Sequence, residues 1–256
     1  MEKRILYNKD YFESDAHTSS NIERASLYFE PMIHSLNSYL KPLRVLDIGC
    51  AKGFLVFLFH TLGTEAYGVD ISSYAVTHSP EDIRKNLFVS DVEQDELPFP
   101  DNHFELLTMI DVLEHLHVSS INHLLKEIKR VLRPNGYVCL TLPTKAEEKK
   151  DVAHINLQPK SFWIDLFKKY SFLSVDKEKR LLKKKSQKYL WDNKLYFIQL
   201  YKKLLKNTPP STQLGKLLLR AGKIGIILRE AFWFCNYFFC YNRKYFNEKM
   251  ILFRKL

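Results

Sequence analysis

From residue 43 onward, short apolar runs alternate with longer segments of helical spacing. RVLDI, EAYGVDI, LFVSDV, HFELLTMID and YVCLTLP are brief, apolar and bounded by turn residues, which predicts five strands. Between them, FLVFLFHTLG, SSYAVTHSPEDIRKN and INHLLKEIKRVL predict helices. Gly63 is expected to end the first, and Ser72 or Ser73 to cap the second. Ser119 or Ser120 should cap the third, with Pro134, Asn135 and Gly136 stopping it. Strands separated by helices pair in parallel through right-handed crossovers. The expected fold class is therefore α/β, a doubly wound and mostly parallel sheet.

The flanks follow different patterns. Residues 1–42 read as a helical, partly irregular cap, with IERASLYFEPMIHSLNSYL broken at Pro31. Residues 43–176 hold the strand–helix alternation. Residues 177–256 read as a helical extension, in which KEKRLLKKKSQKYLWDNKLYFIQLYKKLLKN interleaves basic and aromatic residues. Leu195, Ile198, Gln199 and Lys202 follow helical spacing there, and Pro209 and Pro210 break it.

Charge sharpens that division. The formal net charge is +10, yet residues 177–256 hold 20 Lys+Arg against 4 Asp+Glu, and the rest of the chain holds 19 against 25. A mildly acidic body thus carries a basic tail. The first residues show no apolar leader, and no apolar run reaches the roughly 20 residues that a bilayer-spanning helix needs. Cys50, Cys139, Cys235 and Cys240 lack paired spacing, so free thiols in a reducing cytoplasm are expected, and no metal site.

In a doubly wound sheet, ligands bind beyond the carboxyl ends of the strands. Those ends here carry Asp47, Asp70, Asp91 and Asp111, with Glu114 and His115 just beyond. Acids suit turns, so one alone means little. Four in succession along one rim point to a ligand. Gly49, Ala51 and Gly53 keep the first loop small, so a ligand can lie on its backbone. Asp70 stands where a carboxylate can accept both hydroxyls of a ribose, and Asp91 with the Val92 backbone could border an adenine edge. A dinucleotide fingerprint would need glycines at 49, 51 and 54, and two of the three fail. A phosphate-binding P-loop fails as well, because Gly-Lys-Ser/Thr is absent.

VLDIGCAKG, followed by GVDIS, SDV, FELLTMIDVLEHL and RVLRPNGYVCLTLP, resembles the class I S-adenosylmethionine-dependent methyltransferases over roughly residues 40–175. The resemblance implies a Rossmann-like methyltransferase fold with S-adenosylmethionine as cofactor. It implies that Asp47, Gly49, Ala51 and Gly53 line the methionine portion, and that Asp70 and Ile71 hold the ribose and flank the adenine. Asp91 and Val92 would border the adenine. Asp111, Val112 and His115 would floor the site near the reacting methyl, and Tyr11 would close it from above. Ala51 stands where many members have glycine, which costs little if its φ is negative. His115 and His154 are the candidate general bases. Cys50 reads as a small space-filler, since no base adjoins it.

The expected reaction is methyl transfer to oxygen on a small-molecule, glycan or lipid-linked acceptor. Its rivals are a non-catalytic scaffold of the same fold and an RNA methyltransferase using the basic tail. The tail fits a packed helical subdomain with a solvated basic face. It also fits an anionic membrane surface, which would make the protein peripheral at the inner face of the membrane. Nucleic acid is the weaker partner, because strand four lacks an Asn-Pro-Pro-Tyr-type run.

Overall fold

Arg44–Ile48 (β1), Glu65–Asp70 (β2), Leu87–Val89 (β3), Phe104–Ile110 (β4) and Leu132–Thr141 (β5) form the parallel part of a seven-stranded sheet in this computed structural model. The structure describes residues 7–13, 21–143, 153–205, 238, 246 and 248–256. With Phe172–Ser174 as β6 and Ile251–Lys255 as β7, the sheet order is β3-β2-β1-β4-β5-β7-β6. The reversal between β1 and β4 is the point at which a doubly wound sheet opens a crevice. All five strands anticipated from residue 43 onward are present, and the fold class is the α/β one.

Apolar side chains cover both faces of the sheet. On one face Val45, Ala66 and Leu106 meet Phe54–Thr61 (α3), Ile22–Leu40 (α2) and Asp176–Asp192 (α8). On the other, Leu46, Leu107 and Leu140 meet Ile121–Val131 (α6) and Lys160–Lys169 (α7) through Leu124, Leu125, Ile128, Trp163 and Phe167. Two-sided burial explains why β4 reads as a largely apolar run, interrupted at Glu105 and Thr108, instead of an alternating one.

Three local features depart from the sequence pattern. α2 runs straight through Pro31, although proline costs a helix interior about 3 kcal/mol. Its buried stripe of Ala25, Phe29, Met32, Ile33 and Leu36 outweighs that cost, and Asn21 caps the start by accepting from the Arg24 N–H at 2.8 Å. Secondly, the helix expected over SSYAVTHSPEDIRKN is two short ones, Ser73–Thr77 (α4) and Glu81–Arg84 (α5), parted at Pro80. The Ser72 cap holds, with its hydroxyl accepting from the Ala75 N–H. Ser120 precedes α6 without capping it by a side-chain bond. Pro134, Asn135 and Gly136 fall inside β5, because α6 already ends at Val131.

The third departure lies at the far end. The sequence pattern ends the sheet before residue 177, yet Ile251–Lys255 (β7) enters it, antiparallel to both β5 and Phe172–Ser174 (β6). The body and the last residues therefore share one sheet. The Lys255 ammonium donates to the Lys129 and Leu132 carbonyls and closes the C-terminal end of α6. The first part of the basic stretch holds two helices, α8 and Lys194–Leu205 (α9). α8 buries Leu182, Ser186 and Leu190 and exposes Lys177, Arg180, Lys184, Lys185 and Lys188. Apart from Phe238 and Phe246, the apolar–aromatic part of the tail, including Cys235 and Cys240, lies outside the described residues.

Candidate active site

β1 brings Asp47 to the crevice, paired in register with Thr108 of β4. The Thr108 hydroxyl donates to Asp47 Oδ1 at 2.7 Å. Asp47 is only 3% exposed, and that burial pushes its carboxyl up to about 7. The Thr108 hydrogen bond opposes the rise, and the nearby Asp70 charge adds to it.

The loop after β1 is held from β2. The Gly49 and Cys50 N–H groups both donate to the Val69 carbonyl, at 2.8 and 3.0 Å. Gly49 has φ +74°, and a Cβ there would come within 2.5 Å of Val112 Cγ2. Glycine is needed both for the backbone turn and for the close approach of the loop after β4. Asp70, also buried, accepts the Ala51 N–H on Oδ2 and the Ser72 N–H on Oδ1, each at 2.8 Å. Burial raises its carboxyl too, and the two N–H groups oppose the rise. Gly53 follows at φ +73° and starts α3. The buried Cys50 thiol is pushed up by desolvation, which suits a space-filler and not a nucleophile.

Ala51 corrects one expectation. Its φ is +51°, not negative, so the methyl group sits in the left-handed region. That conformation costs an L-residue roughly 1–2 kcal/mol. Ala51→Gly is expected to raise stability by about 0.5–1 kcal/mol in urea denaturation, the relief being partly offset by the greater freedom of glycine in the unfolded chain.

Further along the rim, Asp91 holds its own turn. Its carboxylate accepts from the Glu93 N–H and the Gln94 amide, while Val92 is buried beside it. Asp111, at φ +54°, is gripped from two sides. The Thr141 hydroxyl donates to Oδ1 at 2.7 Å, and the Lys249 ammonium pairs with Oδ2 at 2.6 Å. Asp111 is thus tied to the segment entering β7, a partner 138 residues distant. Ile71 follows Asp70 half-buried.

Beyond β4, the turn Leu113–His115 meets the loop after β5. The Ile155 and Asn156 N–H groups both donate to the Glu114 carbonyl, and the His115 ring bonds to the Ala153 carbonyl at 3.2 Å. His115 and His154 come together as a result, their rings 4.9 Å apart. Above them lies the N-terminal helix Lys9–Glu13 (α1) with its lead-in residues. Tyr7 stands 6.0 Å from the His115 ring, and Tyr11 packs edge-on against Tyr7. Tyr7 is therefore a ring next to His115. The segment is pinned where the Ser72 hydroxyl donates to the Tyr7 carbonyl at 2.6 Å.

Asp47, Asp70, the glycine loop and the histidine pair thus share one sheet edge. Tyr7, Thr108, Thr141 and Lys249 were not among the candidates. Thr108 was findable, being a polar residue in the middle of a largely apolar strand. Lys249 gave no signal among the many lysines of the tail.

Residues 46–140 match the family model described as a methyltransferase domain. That stretch is a methyltransferase domain of the class I S-adenosylmethionine-dependent type. An uncharacterized methyltransferase of Schizosaccharomyces pombe is 30% identical over 142 residues, covering 51% of this chain and 48% of that protein. A ubiquinone biosynthesis O-methyltransferase of Bradyrhizobium diazoefficiens is 32% identical over 118 residues, or 44% of each chain. The chain thus spans about half the length of the curated relatives it matches. A solved S-adenosylmethionine-dependent methyltransferase from Archaeoglobus fulgidus shares the fold, with a TM-score of 0.51 and 17% identity over 88% of this chain and 94% of that one.

S-adenosylmethionine is the donor of this family, and the residues present suit it. Its charged end would meet Asp47, the small loop at Gly49, Ala51 and Gly53 leaves backbone open to it, and its ribose diol would meet Asp70. A pH dependence follows. Below about 7 the apo Asp47 holds a proton that a cationic ligand must expel. Affinity should therefore rise with pH and level off above 7, being about tenfold weaker at pH 6 than at pH 8 by calorimetry. Stability of the apo protein runs the other way. The unfolded carboxyl ionises near 4, so rising pH between about 4 and 7 favours the unfolded chain through this group.

Proposed function

We propose that this domain transfers a methyl group from S-adenosylmethionine to an oxygen of a small-molecule, glycan or lipid-linked acceptor. The observation that carries the reading is the pair Asp47 and Asp70. They are two buried carboxylates at neighbouring strand ends, bonded by the neutral Thr108 hydroxyl and backbone N–H groups. Buried carboxylates raised by desolvation favour a ligand that brings positive charge and hydroxyl donors.

The bound sulfonium supplies an already activated methyl group. The protein's task is then to hold the acceptor in line, a contribution worth roughly 7–11 kcal/mol. Asp70 would orient the adenosine and Asp47 the amino-acid end. Tyr7 and Tyr11 would cover the acceptor side and keep water out. His115 and His154 stand beside that space and would help the acceptor give up its proton. Asp111 would act on the floor's shape rather than on the substrate, since Thr141 and Lys249 already occupy its oxygens.

Oxygen is favoured as the acceptor because five of the relatives are ubiquinone biosynthesis O-methyltransferases, although a phosphoethanolamine N-methyltransferase and a tRNA N(3)-cytidine methyltransferase are also among them. The exposed lysines of α8 fit an acceptor held at an anionic surface. Incubation with methyl-labelled S-adenosylmethionine and cell extract tests the reading. An acid-resistant, O-methylated product is expected. Folded protein that gives no heat with S-adenosylmethionine would overturn the enzyme reading, and a product labelled on nitrogen would overturn the acceptor.

A further inference from the structure

Glu114, His115 and His154 each offer a ligand atom, and the three atoms lie within 4.8 Å of one another. We propose that these residues bind one divalent first-row cation of the zinc type, next to the acceptor side of the methyl-transfer site. Two imidazoles and one carboxylate suit zinc in open sites, where three protein ligands leave a position for substrate.

The local geometry prepares the residues for that role. A carbonyl can only accept, so His115 must donate from Nδ1 to the Ala153 oxygen, which fixes the tautomer with Nε2 as the ring's metal-ligating atom. His154 Nδ1 is buried and has no hydrogen-bond partner among the described residues, a vacancy that a cation would fill. Glu114 is 1% exposed, so its carboxylate is held in a dry setting where charge compensation matters most. The two loops that carry the ligands are already stitched together. Ile155 and Asn156 donate to the Glu114 carbonyl at 2.9 and 3.0 Å, and the Asn156 side-chain amide donates to the Leu113 carbonyl. The site therefore needs no folding on binding beyond side-chain adjustment. No metal was expected from the sequence, because Glu114-His115 and His154 lie 39 residues apart, without a recognisable ligand spacing.

The proposal rests on the methyltransferase reading and deepens it. An acceptor hydroxyl in the open position would lose its proton to solvent more readily, since the cation stabilises the oxyanion. The oxygen then forms its bond to the methyl carbon, and the carbon–sulfur bond breaks with its electron pair left on a neutral thioether. In this scheme the histidines act as ligands and not as bases.

The full chain, stripped with a chelator, would be titrated with zinc chloride by calorimetry and with cobalt chloride by visible absorption. One zinc per chain is expected, together with cobalt d–d bands of imidazole-bound metal. His154→Ala should weaken zinc at least tenfold, and so should the conservative Glu114→Gln. Wild-type protein that takes up no zinc and shows no cobalt bands overturns the proposal, as does equal affinity in both variants. The cobalt spectrum needs only wild-type protein, so a misfolded variant does not spare the proposal. S-adenosylmethionine is titrated into the same samples. Cofactor binding without metal binding sinks the cation alone, whereas folded protein that binds zinc but no S-adenosylmethionine sinks the methyltransferase reading on which it rests.

Discussion

Asp70→Ala is expected to weaken S-adenosylmethionine binding about 100-fold or more in calorimetric titration. The carboxylate is fixed from behind by the Ala51 and Ser72 N–H groups, one on each oxygen. Each oxygen keeps a further lone pair, and together they would accept both ribose hydroxyls. Each hydrogen bond to a charged acceptor contributes about 1.5–3 kcal/mol, so losing two gives that factor. The substitution also removes the acceptor for Ala51, whose left-handed backbone then has less to hold it. Asp70→Asn separates the two effects. It keeps one accepting oxygen and most of the shape, and should lose about tenfold. The fold should survive both changes, since burial of the Asp70 carboxylate is itself unfavourable. Wild-type affinity in the alanine variant would remove Asp70 from the ribose.

How much of this was legible beforehand depended on the range over which each feature is determined. The strands β1 to β5 could be read because each is short, apolar and bracketed by turn residues, signals that lie within a few neighbours of each position. The edge carrying Asp47, Asp70 and Asp111 could be read too, since parallel topology fixes which strand end faces the crevice. Pro31 misled because the decisive energy, packing of Met32, Ile33 and Leu36 beneath the rest of the fold, comes from residues far along the chain. The φ of Ala51 is likewise dictated from outside, by Asp70 pulling on its N–H. The acids themselves divided in a way that composition hides. Asp91 is taken up by its own turn and Asp111 by Thr141 and Lys249, while Asp47 and Asp70 accept from a neutral hydroxyl and from backbone N–H groups. His115 and His154 were separate candidates, and only the stitching of two loops through the Glu114 carbonyl makes them neighbours. The last strand was hidden altogether, because MILFRK is too short to announce itself after a long basic and aromatic stretch, and its partners in β5 lie more than 100 residues earlier.

That last strand carries the second large effect. Phe253→Ala is expected to cost about 3–5 kcal/mol in urea denaturation, the range for removing a fully buried phenylalanine. Phe253 is completely buried in β7, opposite Val138 of β5 and Ser174 of β6. Its ring lies almost parallel to that of Phe167 from α7, with centroids 4.3 Å apart, so truncation leaves a cavity lined by rigid elements on both sides. A domain is stable by only about 5–15 kcal/mol, so the variant would be close to unfolding. Phe253→Leu keeps most of the volume and should cost clearly less. The consequence reaches the active site, because Lys249 leads into β7 and holds Asp111 on the floor of the crevice. Loosening the strand should therefore weaken S-adenosylmethionine binding even where the protein is still folded. A loss below about 1 kcal/mol would mean that β7 is not part of the cooperative core, and that the end of the chain is attached to the methyltransferase sheet without supporting it.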